Sequence, residues 1–177
     1  MTDDSGLGLE RGTVRVVDPD PAWPELYRVE VERLCRCIAE ARLPALEFEH
    51  VGSTAVPGLV AKPIIDLVAG YAAETQPRAY FDALNAAGYE HRGPQGVPER
   101  ELFVRGPAAR RTHHLNLVRA GGAFWRDHIE FRDRLRRDPE LMAAYAELKR
   151  RLAAQNPTDR GQYTAAKAMF VHRALAH

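Results

Sequence analysis

The sequence contains no apolar run that approaches ~20 residues, which is the length a helix needs to cross a bilayer. Its first residues, Met1 to Gly6, are acidic and lack the basic and then apolar layout of a secretory signal peptide. Only two cysteines are present, Cys35 and Cys37, and they lie too close together to staple a fold. These absences argue against a membrane span, secretion and a disulfide framework, and we expect a cytoplasmic protein.

No charge of one sign dominates, because 25 Lys and Arg residues are balanced by 24 Asp and Glu residues. With a formal net charge of +1, the chain lacks the broad basic field that drives non-specific binding to nucleic acids. We therefore do not expect nucleic acid as a partner. What is present is apolar material: 45% of the 177 residues are apolar, enough for one domain with its own hydrophobic core.

The apolar periodicity predicts an α/β (α+β) fold, in which a half that mixes strands and helices is followed by a helical C-terminal part. Residues 1–12 are polar and glycine-rich, so we expect a flexible leader ahead of a single domain over residues 13–177. Within that domain we predict an α/β core over residues 13–118 and a helical part over residues 122–176.

Local signals place the elements. Cys35 falls on the apolar stripe of the first predicted helix, where we expect it to be buried and inert. Thr75 is predicted to cap the second helix. Strands are predicted at residues 13–17, 46–51, 63–69, 89–92, 101–105 and 112–118, and helices at residues 21–41 and 76–87 and throughout the part after Gly122.

The stretch from Glu49 to Gly70 reads as a strand, a Gly-Ser-Thr turn, a linking segment with two prolines, and a second strand. The second strand carries Asp66 inside the apolar run from Ile64 to Val68. A carboxylate at the centre of a strand is costly to bury unless another group pairs with it. This stretch therefore predicts a functional site around Asp66.

The turn Gly52-Ser53-Thr54 has the residue types that hold phosphate, since glycine lets the backbone approach a ligand and backbone N–H groups can bind phosphate oxygens. Asp66 follows Ser53 by thirteen residues, and a carboxylate together with phosphates can bind a hard cation such as Mg²⁺. The combination is typical of a nucleotide–metal site. The alternative is an ordinary turn in which Thr54 caps a helix.

Several segments together resemble the GrpB family (UPF0157-type) of the nucleotidyltransferase-fold superfamily, and the resemblance covers roughly residues 13 to 175. The segments that carry it are Glu49-His50-Val51-Gly52-Ser53-Thr54, Lys62-Pro63-Ile64-Ile65-Asp66, Arg111-Thr112-His113-His114-Leu115, Phe131-Arg132-Asp133 with Leu135-Arg136, the segment from Tyr145 to Lys149, and Tyr163-Thr164-Ala165-Ala166-Lys167.

The resemblance implies a nucleotidyltransferase-like fold, with a small mixed β-sheet flanked by helices and a nucleotide site at the Gly-Ser turn and Asp66. Catalytically competent members of the superfamily place two carboxylates two residues apart on this strand and a third on a neighbouring strand. Here Val68 occupies the second position, and residues 113–118 contain no acid. Transfer with two metal ions needs closely spaced ions that clamp the attacking and leaving oxygens. One strand carboxylate does not easily hold such a pair.

Strand alternation places His114 and Asn116 on one face of their strand and His113 on the other. We expect His114 and Asn116 to face Asp66, with Asp66 and His114 as the catalytic candidates. The three side chains together are candidate ligands for a divalent metal, either Mg²⁺ or a transition metal that accepts histidine. Family members commonly carry His where this chain has Asn116. The alternative is that His114 only hydrogen-bonds Asp66.

Basic side chains can complete an anion site. Lys62 and Lys167 are the preferred phosphate-binding candidates, because both lie in segments that match the family. Arg105, Arg111 and Lys149 are further candidates, and the alternative for each is a solvated or ion-paired surface charge.

Three functions are consistent with these observations. The first is a nucleotidyltransferase that moves a nucleoside monophosphate to a small acceptor, and the second is a non-catalytic module that binds a nucleotide or a phosphorylated small molecule. The third is an accessory or folding-helper domain, because GrpB-like domains also occur attached to dephospho-CoA kinase domains. The sequence has no Gly-x-x-x-x-Gly-Lys-Ser/Thr motif, so this stretch of chain does not supply the P-loop of such a kinase.

Overall fold

The structure, a computed structural model, describes residues 6–10, 13–156 and 158–176. Two short 3-10 turns, Ser53–Ala55 and Pro77–Tyr80, lie between the main elements. The strands are β1 (Leu9–Glu10), β2 (Glu47–Val51), β3 (Ile65–Tyr71), β4 (Tyr89–Gly93), β5 (Arg100–Arg105), β6 (Arg110–Arg111) and β7 (His113–Arg119). The helices are α1 (Trp23–Glu40), α2 (Phe81–Ala86), α3 (Ala123–Arg137), α4 (Pro139–Gln155) and α5 (Arg160–Leu175).

Five strands form one mixed sheet in the order β2-β3-β7-β5-β4. The central pair β3 and β7 is parallel, and the other neighbouring pairs are antiparallel. The parallel register sets Asp66 directly beside His114. A separate two-stranded ladder joins β1 to β6. The predicted mixed sheet, with β4 at its edge, is therefore observed.

The two faces of the sheet pack against different helices, and strand alternation decides which side chains go where. Ile65 and Leu67 of β3 and Leu115 of β7 enter the main core, which also contains Leu34 of α1 and Leu84 of α2. The opposite face packs against α3. It carries an apolar cluster of Val51, Val68 and Val118, covered by Phe124, Trp125 and Ile129.

Two arginines of α3 fasten the helix to the segment that follows β2. Arg132 is buried and donates hydrogen bonds to Glu49 Oε2 at 2.5 Å and to the carbonyl oxygen of His50 at 2.9 Å. Arg136 donates to the carbonyl oxygen of Ala55 at 2.7 Å. Because these bonds satisfy buried backbone oxygens, they hold the turn after β2 against the helical part.

The first part of the chain differs from the predictions in three places. Residues 13–16 form no strand, and Val17 makes only an isolated bridge with Ala61. Thr75 does not cap a helix, because Pro77 starts a 3-10 turn instead and α2 begins only at Phe81. Cys35 is exposed, since each residue turns a helix by roughly 100° and the neighbouring Leu34 occupies the buried stripe.

The flexible leader predicted for residues 1–12 is described only over residues 6–10, because residues 1–5 and 11–12 lie outside the described residues. Where it is described, it is packed: Leu7 is buried in the main core, and Leu9–Glu10 pairs with Arg110–Arg111. One apolar side chain with a place in the core is enough to hold this segment down. The single-domain division of residues 13–177 stays a prediction.

Within the described ranges, no helix combines the length and the apolar character that crossing a membrane would require.

Substitution of Arg132 by Met is expected to lower the free energy of unfolding by about 2–4 kcal/mol, because it leaves the Glu49 carboxylate and the His50 carbonyl oxygen without their partner. Arg137→Met is the matched control on the same helix, since the Arg137 side chain is 68% exposed. Urea unfolding of both variants measures the difference. Equal losses in the two variants would contradict the role of Arg132 as a fastener.

Candidate functional site

A cleft of about 580 Å³ lies between the α3 side of the sheet and helices α3, α4 and α5. The sheet contributes Val51 at the end of β2, Asp66 near the start of β3, and residues from the first halves of β5 and β7. The helices form the opposite wall. Its polar lining consists of Ser53, Asp66, Arg100, His114, Asn116, Asp127, His128, Tyr145, Thr164, Lys167 and His172.

Asp66 and His114 form the polar centre of the sheet wall. Nδ1 of His114 donates to Oδ1 of Asp66 at 3.0 Å, because an ionised carboxylate only accepts. Burial by itself would raise the pKa of Asp66, but the hydrogen bond from His114 and the positive charge of Lys167 lower it below its usual value. The carboxylate is therefore kept ionised, and the histidine presents Nε2 as its remaining ring nitrogen.

Gly52 allows the turn to approach this carboxylate. Its φ is +72°, and a Cβ at this position would lie 2.6 Å from Oδ2 of Asp66. Val51 and Asp66 are register partners across β2 and β3, so the turn begins directly beside the acid. Any larger residue at position 52 would be strained in its backbone and would collide with the carboxylate.

Ser53 is supported from beneath by a buried lysine. Nζ of Lys149 donates to Ser53 Oγ at 2.8 Å and also to the carbonyl oxygen of Val60. The Lys149 residue is 1% exposed, and its Nζ lies 4.7 Å from the centre of the Tyr145 ring. Burial, together with the positive charges of Lys167 and Arg150, lowers the pKa of Lys149 to about 6. Ser53 thus lines the cleft, and the group that donates to its hydroxyl oxygen is the buried Nζ of Lys149.

Thr54 was predicted to bind phosphate or to cap a helix, and the structure assigns its side chain neither position. The residue is buried and does not line the cleft. Its hydroxyl donates to the carbonyl oxygen of Ile64 and accepts from Nε2 of His50 at 3.0 Å. His50 stacks on Tyr27, and burial lowers its pKa to about 4, so the ring is neutral. The 3-10 turn points Thr54 into the protein.

Asn116 lines the cleft beside His114, but its side chain is partly engaged. Its Nδ2 donates to the carbonyl oxygen of Leu67 at 3.2 Å, which leaves Oδ1 for a ligand. In the part of the chain that the structure describes, no group of three or more His, Cys, Asp or Glu side chains is arranged to hold a metal ion. Asp66, His114 and Asn116 thus lie together, yet their donors do not make a complete metal cage.

The two preferred lysines both lie against the ring of Tyr163. Nζ of Lys167 is 4.7 Å and Nζ of Lys62 is 4.1 Å from the ring centre. Lys167 lines the cleft, where burial lowers its pKa while the charge of Asp66 raises it. Lys62 does not line the cleft and instead borders a smaller neighbouring cavity. The structure therefore does not bring the two preferred lysines to one cavity, and the phosphate-binding role of Lys62 stays a prediction.

The remaining basic candidates separate in space. Arg105 points to the opposite face of the sheet, where it pairs with the buried Glu30 at 2.6 Å. Arg111 borders the smaller cavity and pairs with Glu90. Alternation explains the position of Arg105, because neighbouring residues of a strand alternate between faces and Arg105 lies one place after Val104 of the cavity.

Val68 shows why a second strand carboxylate is missing. It shares a face with Asp66, as the alternation predicts, but it is fully buried in the apolar cluster under α3. A different acid reaches the cleft: Asp127 of α3, which the sequence reasoning missed. The neighbouring His128 was also missed, although its stacking on Phe124 one turn earlier is a regular helical pairing.

The Gly52→Ala variant is expected to lose about 2–4 kcal/mol of unfolding free energy, from its positive φ and from the contact with Asp66. Gly58→Ala is the matched control, because Gly58 has a φ of +79° and no atom within 4 Å of its added Cβ. Chemical unfolding of both variants separates the two costs. A Gly52→Ala loss no larger than that of Gly58→Ala would contradict the close approach to the carboxylate.

Lys149 should make stability depend on pH. Between pH 7 and 9 the folded protein keeps Lys149 neutral, whereas the unfolded chain binds a proton near the ordinary lysine pKa. The unfolded state therefore holds more protons, and this group's contribution to the unfolding free energy rises by up to about 1.4 kcal/mol per pH unit. The difference between wild type and Lys149→Met, measured by urea unfolding, should show this slope. Arg151→Met, at an exposed position of the same helix, should not. A difference independent of pH would show that Lys149 is charged in the folded state.

A family model described as GrpB protein matches residues 13–177. The chain is 39% identical over 165 residues to a UPF0157 protein of Pseudomonas aeruginosa, covering 92% of this chain and 66% of that protein. It is 32% identical over 173 residues to the glutamate-rich protein GrpB of Alkalihalophilus pseudofirmus, covering 96% of this chain and 98% of that protein.

Some relatives are longer than this chain. It covers 46% of the UPF0157 protein YqkA of Bacillus subtilis, to which it is 32% identical over 161 residues. It is also 27% identical over 185 residues to a dephospho-CoA kinase of Mycolicibacterium paratuberculosis, and the match covers 90% of this chain and 44% of the kinase. The chain thus spans about half of these two proteins.

Two solved structures place the fold. The crystal structure of conserved protein GrpB from Enterococcus faecalis superposes with a TM-score of 0.75 at 28% identity, over 91% of this chain and 99% of that one. A crystal structure of the Cid1 poly(U) polymerase with MgGTP bound gives a TM-score of 0.55 at 13% identity, over 78% of this chain and 44% of that one, which is a likeness of fold alone. The predicted fold class is confirmed, and the chain belongs to the GrpB family, with a nucleotidyltransferase-like fold.

Proposed function

We propose that this protein is a nucleotidyltransferase that binds a nucleoside triphosphate in the cleft and transfers its nucleoside monophosphate to the hydroxyl of a small acceptor. The observation that carries the proposal is the Asp66–His114 pair, set against the Gly52 turn at the base of a cleft large enough for a nucleotide. An aspartate that holds one nitrogen of a histidine orients the ring and stabilises its protonated form, which is the arrangement of a general base.

The phosphates are assigned to the turn side of the cleft. The Ser53 hydroxyl lines that side, and Lys149 lies directly behind Ser53. The ammonium group of Lys167 lines the helical wall of the same cleft. Charged donors form the stronger hydrogen bonds to phosphate oxygens. A bound phosphate also favours the protonated form of Lys149, because it brings negative charge close to a buried amine.

The transfer step follows from this placement. His114 Nε2 accepts the proton of the acceptor hydroxyl, and the acceptor oxygen forms a bond to the α-phosphorus. The bond from that phosphorus to the bridging oxygen breaks, and pyrophosphate leaves with the electron pair. Asp66 keeps the imidazole in the tautomer that has Nε2 unprotonated before the step, because its carboxylate accepts from Nδ1–H.

A divalent cation fits this site only together with the nucleotide. Asp66 offers one carboxylate, and Mg²⁺ is commonly bound by one or two carboxylates with phosphates and water. When bound, such an ion supplies positive charge to the phosphates. The described residues offer no three-ligand group for an ion held by protein alone. We therefore assign Asp66 as the metal-contacting residue, with Asn116 Oδ1 as a neutral neighbour.

A second candidate function is a module that binds the nucleotide without transferring it. The burial of Val68 under α3 favours it, because a single strand carboxylate does not clamp two ions. The match to part of a dephospho-CoA kinase also makes a kinase domain a proposed partner. A cytoplasmic location remains the expectation from the sequence.

Nucleotide binding is tested by calorimetric titration of MgATP, MgGTP, MgUTP and MgCTP. Lys167→Gln should weaken the best nucleotide by about tenfold, the usual cost of one charged phosphate contact. Arg173→Gln, an exposed arginine on the same helix, is the matched control and should leave the affinity unchanged. The absence of binding by wild type, or equal binding by Lys167→Gln, would refute the nucleotide site.

The same preparations separate transfer from binding. Pyrophosphate release is followed over a panel of hydroxyl-bearing and phosphorylated small molecules, with His114→Gln beside wild type. Release by wild type that His114→Gln abolishes, while nucleotide affinity is retained, supports transfer. Binding without release for any acceptor in the panel would favour the module.

A further inference from the structure

A second, smaller cavity of about 260 Å³ adjoins the cleft. His114 and Leu102 line both spaces, so the general base proposed above is shared between them. A transferase of the proposed kind needs two ligands that meet at its base, one carrying the phosphorus that is attacked and one carrying the attacking hydroxyl. The smaller cavity has the position required of the second.

The charge of this cavity is one-sided. Lys62, Arg92 and Arg111 line it, and none of its described lining residues is acidic. Its other lining groups are uncharged, apart from the shared His114. Three cations around a space of this size favour an anionic ligand, and a space of 260 Å³ is suited to a small molecule rather than to a polymer.

The two arginines are held side by side by a carboxylate outside the cavity lining. Nη2 of Arg111 donates to Glu90 Oε2 at 2.5 Å, and Nη1 of Arg92 donates to Glu90 Oε1 at 2.6 Å. Nη1 of Arg111 also donates to the carbonyl oxygen of Gly106 at 2.9 Å. A guanidinium has five N–H donors, so each arginine retains donors beyond these bonds. Glu90 thereby fixes both planes without using all of their hydrogen-bonding capacity.

Lys62 approaches the cavity from its other side. Its Nζ lies over the Tyr163 ring, whose centre is also close to Lys167 of the cleft. Lysine acts as a compact point charge toward phosphate, whereas the planar arginine fork matches two oxygens of one phosphate group. Two arginines and one lysine around one small space therefore fit a phosphate monoester, which carries up to two negative charges and three terminal oxygens.

We propose that this basic cavity, formed by Lys62, Arg92 and Arg111, binds a phosphate group of the acceptor and so presents the acceptor's hydroxyl to His114. The acceptor class is a small phosphorylated alcohol. The role of the ligand as an acceptor rests on the proposed function. The phosphate site itself is inferred only from the cavity and its basic side chains. Lys62 thus keeps the phosphate-binding role predicted from the sequence, but it binds the phosphate of the acceptor rather than that of the nucleotide.

The test is a pair of titrations followed by ¹H–¹⁵N NMR of the full chain, one with inorganic phosphate and one with MgATP. Inorganic phosphate should shift the amide signals of residues 62, 92 and 111. Arg111→Ala and, separately, Arg92→Ala should weaken phosphate binding at these signals by about tenfold, as expected for a lost charged hydrogen bond. Both variants should bind MgATP within about twofold of wild type, because neither residue lines the cleft.

Two further variants serve as controls. Arg92→Lys keeps the positive charge but loses the planar fork, so its phosphate affinity should lie between those of wild type and Arg92→Ala. Arg36→Ala removes an exposed arginine of α1 and should change neither titration. Arg92 is itself largely exposed, so its variants are expected to fold even if Arg111→Ala does not.

The possible results separate the two proposals. Phosphate shifts confined to residues 52–54, or no shifts at all, would overturn the phosphate site. An equal loss of MgATP and phosphate affinity in Arg92→Ala and Arg111→Ala would assign the cavity to the triphosphate tail and would also overturn it. Phosphate binding at residues 62, 92 and 111 without any nucleotide binding would support the phosphate site and refute the proposed function.

Discussion

The hydrogen bond from His114 to Asp66 joins the two central parallel strands, and the surrounding structure is arranged so that this bond can exist. The Asp66 side chain is 35% exposed, and a carboxylate that is partly buried on a sheet stays ionised only when a donor or a positive charge pairs with it. The histidine supplies the pair, the lysine across the cleft supplies further positive charge, and the glycine at position 52 leaves room for the second carboxylate oxygen. The histidine, the lysine and the glycine thus each meet a different physical requirement of the carboxylate.

The three C-terminal helices supply the side chains that surround the turn after β2 and close the cleft. Helix α3 binds the backbone of the turn through two arginines, α4 places a lysine behind the turn's serine, and α5 brings another lysine to the opposite wall. The turn is therefore held from both sides by side chains distant in sequence. Its shape is a tertiary property, because the short 3-10 segment has few internal hydrogen bonds of its own.

The face on which the site residues of β3 and β7 lie could be predicted from the sequence, because side chains alternate strictly between the two faces of a strand. It assigned Asp66, His114 and Asn116 to one face, and the structure brings these three side chains to one cleft. The mixed sheet and its helical continuation followed from apolar periodicity and from the family resemblance, and they are observed. The regular elements were thus accessible without coordinates.

The side chains whose positions were not anticipated lie where the backbone geometry is not periodic. Thr54 turns inward because the backbone rotates at Gly52, and no local pattern encodes that rotation. Lys62 follows the turn through an irregular linker, so its direction depends on where Tyr163 packs. Asp127 approaches from a helix whose placement is decided by its apolar face against the sheet, and a search along the strands could not find it.

The packing of Val68 has a consequence for the history and engineering of this site. A solvent-exposed valine can be replaced by an acidic residue without disturbing the packing around it. Val68 instead lies beneath the aromatic side chains of α3. An aspartate introduced there would bring an unpaired charge into an apolar contact, and the helix would have to move to hydrate it. A second carboxylate at position 68 would therefore require a different packing of helix α3 in addition to the substitution itself.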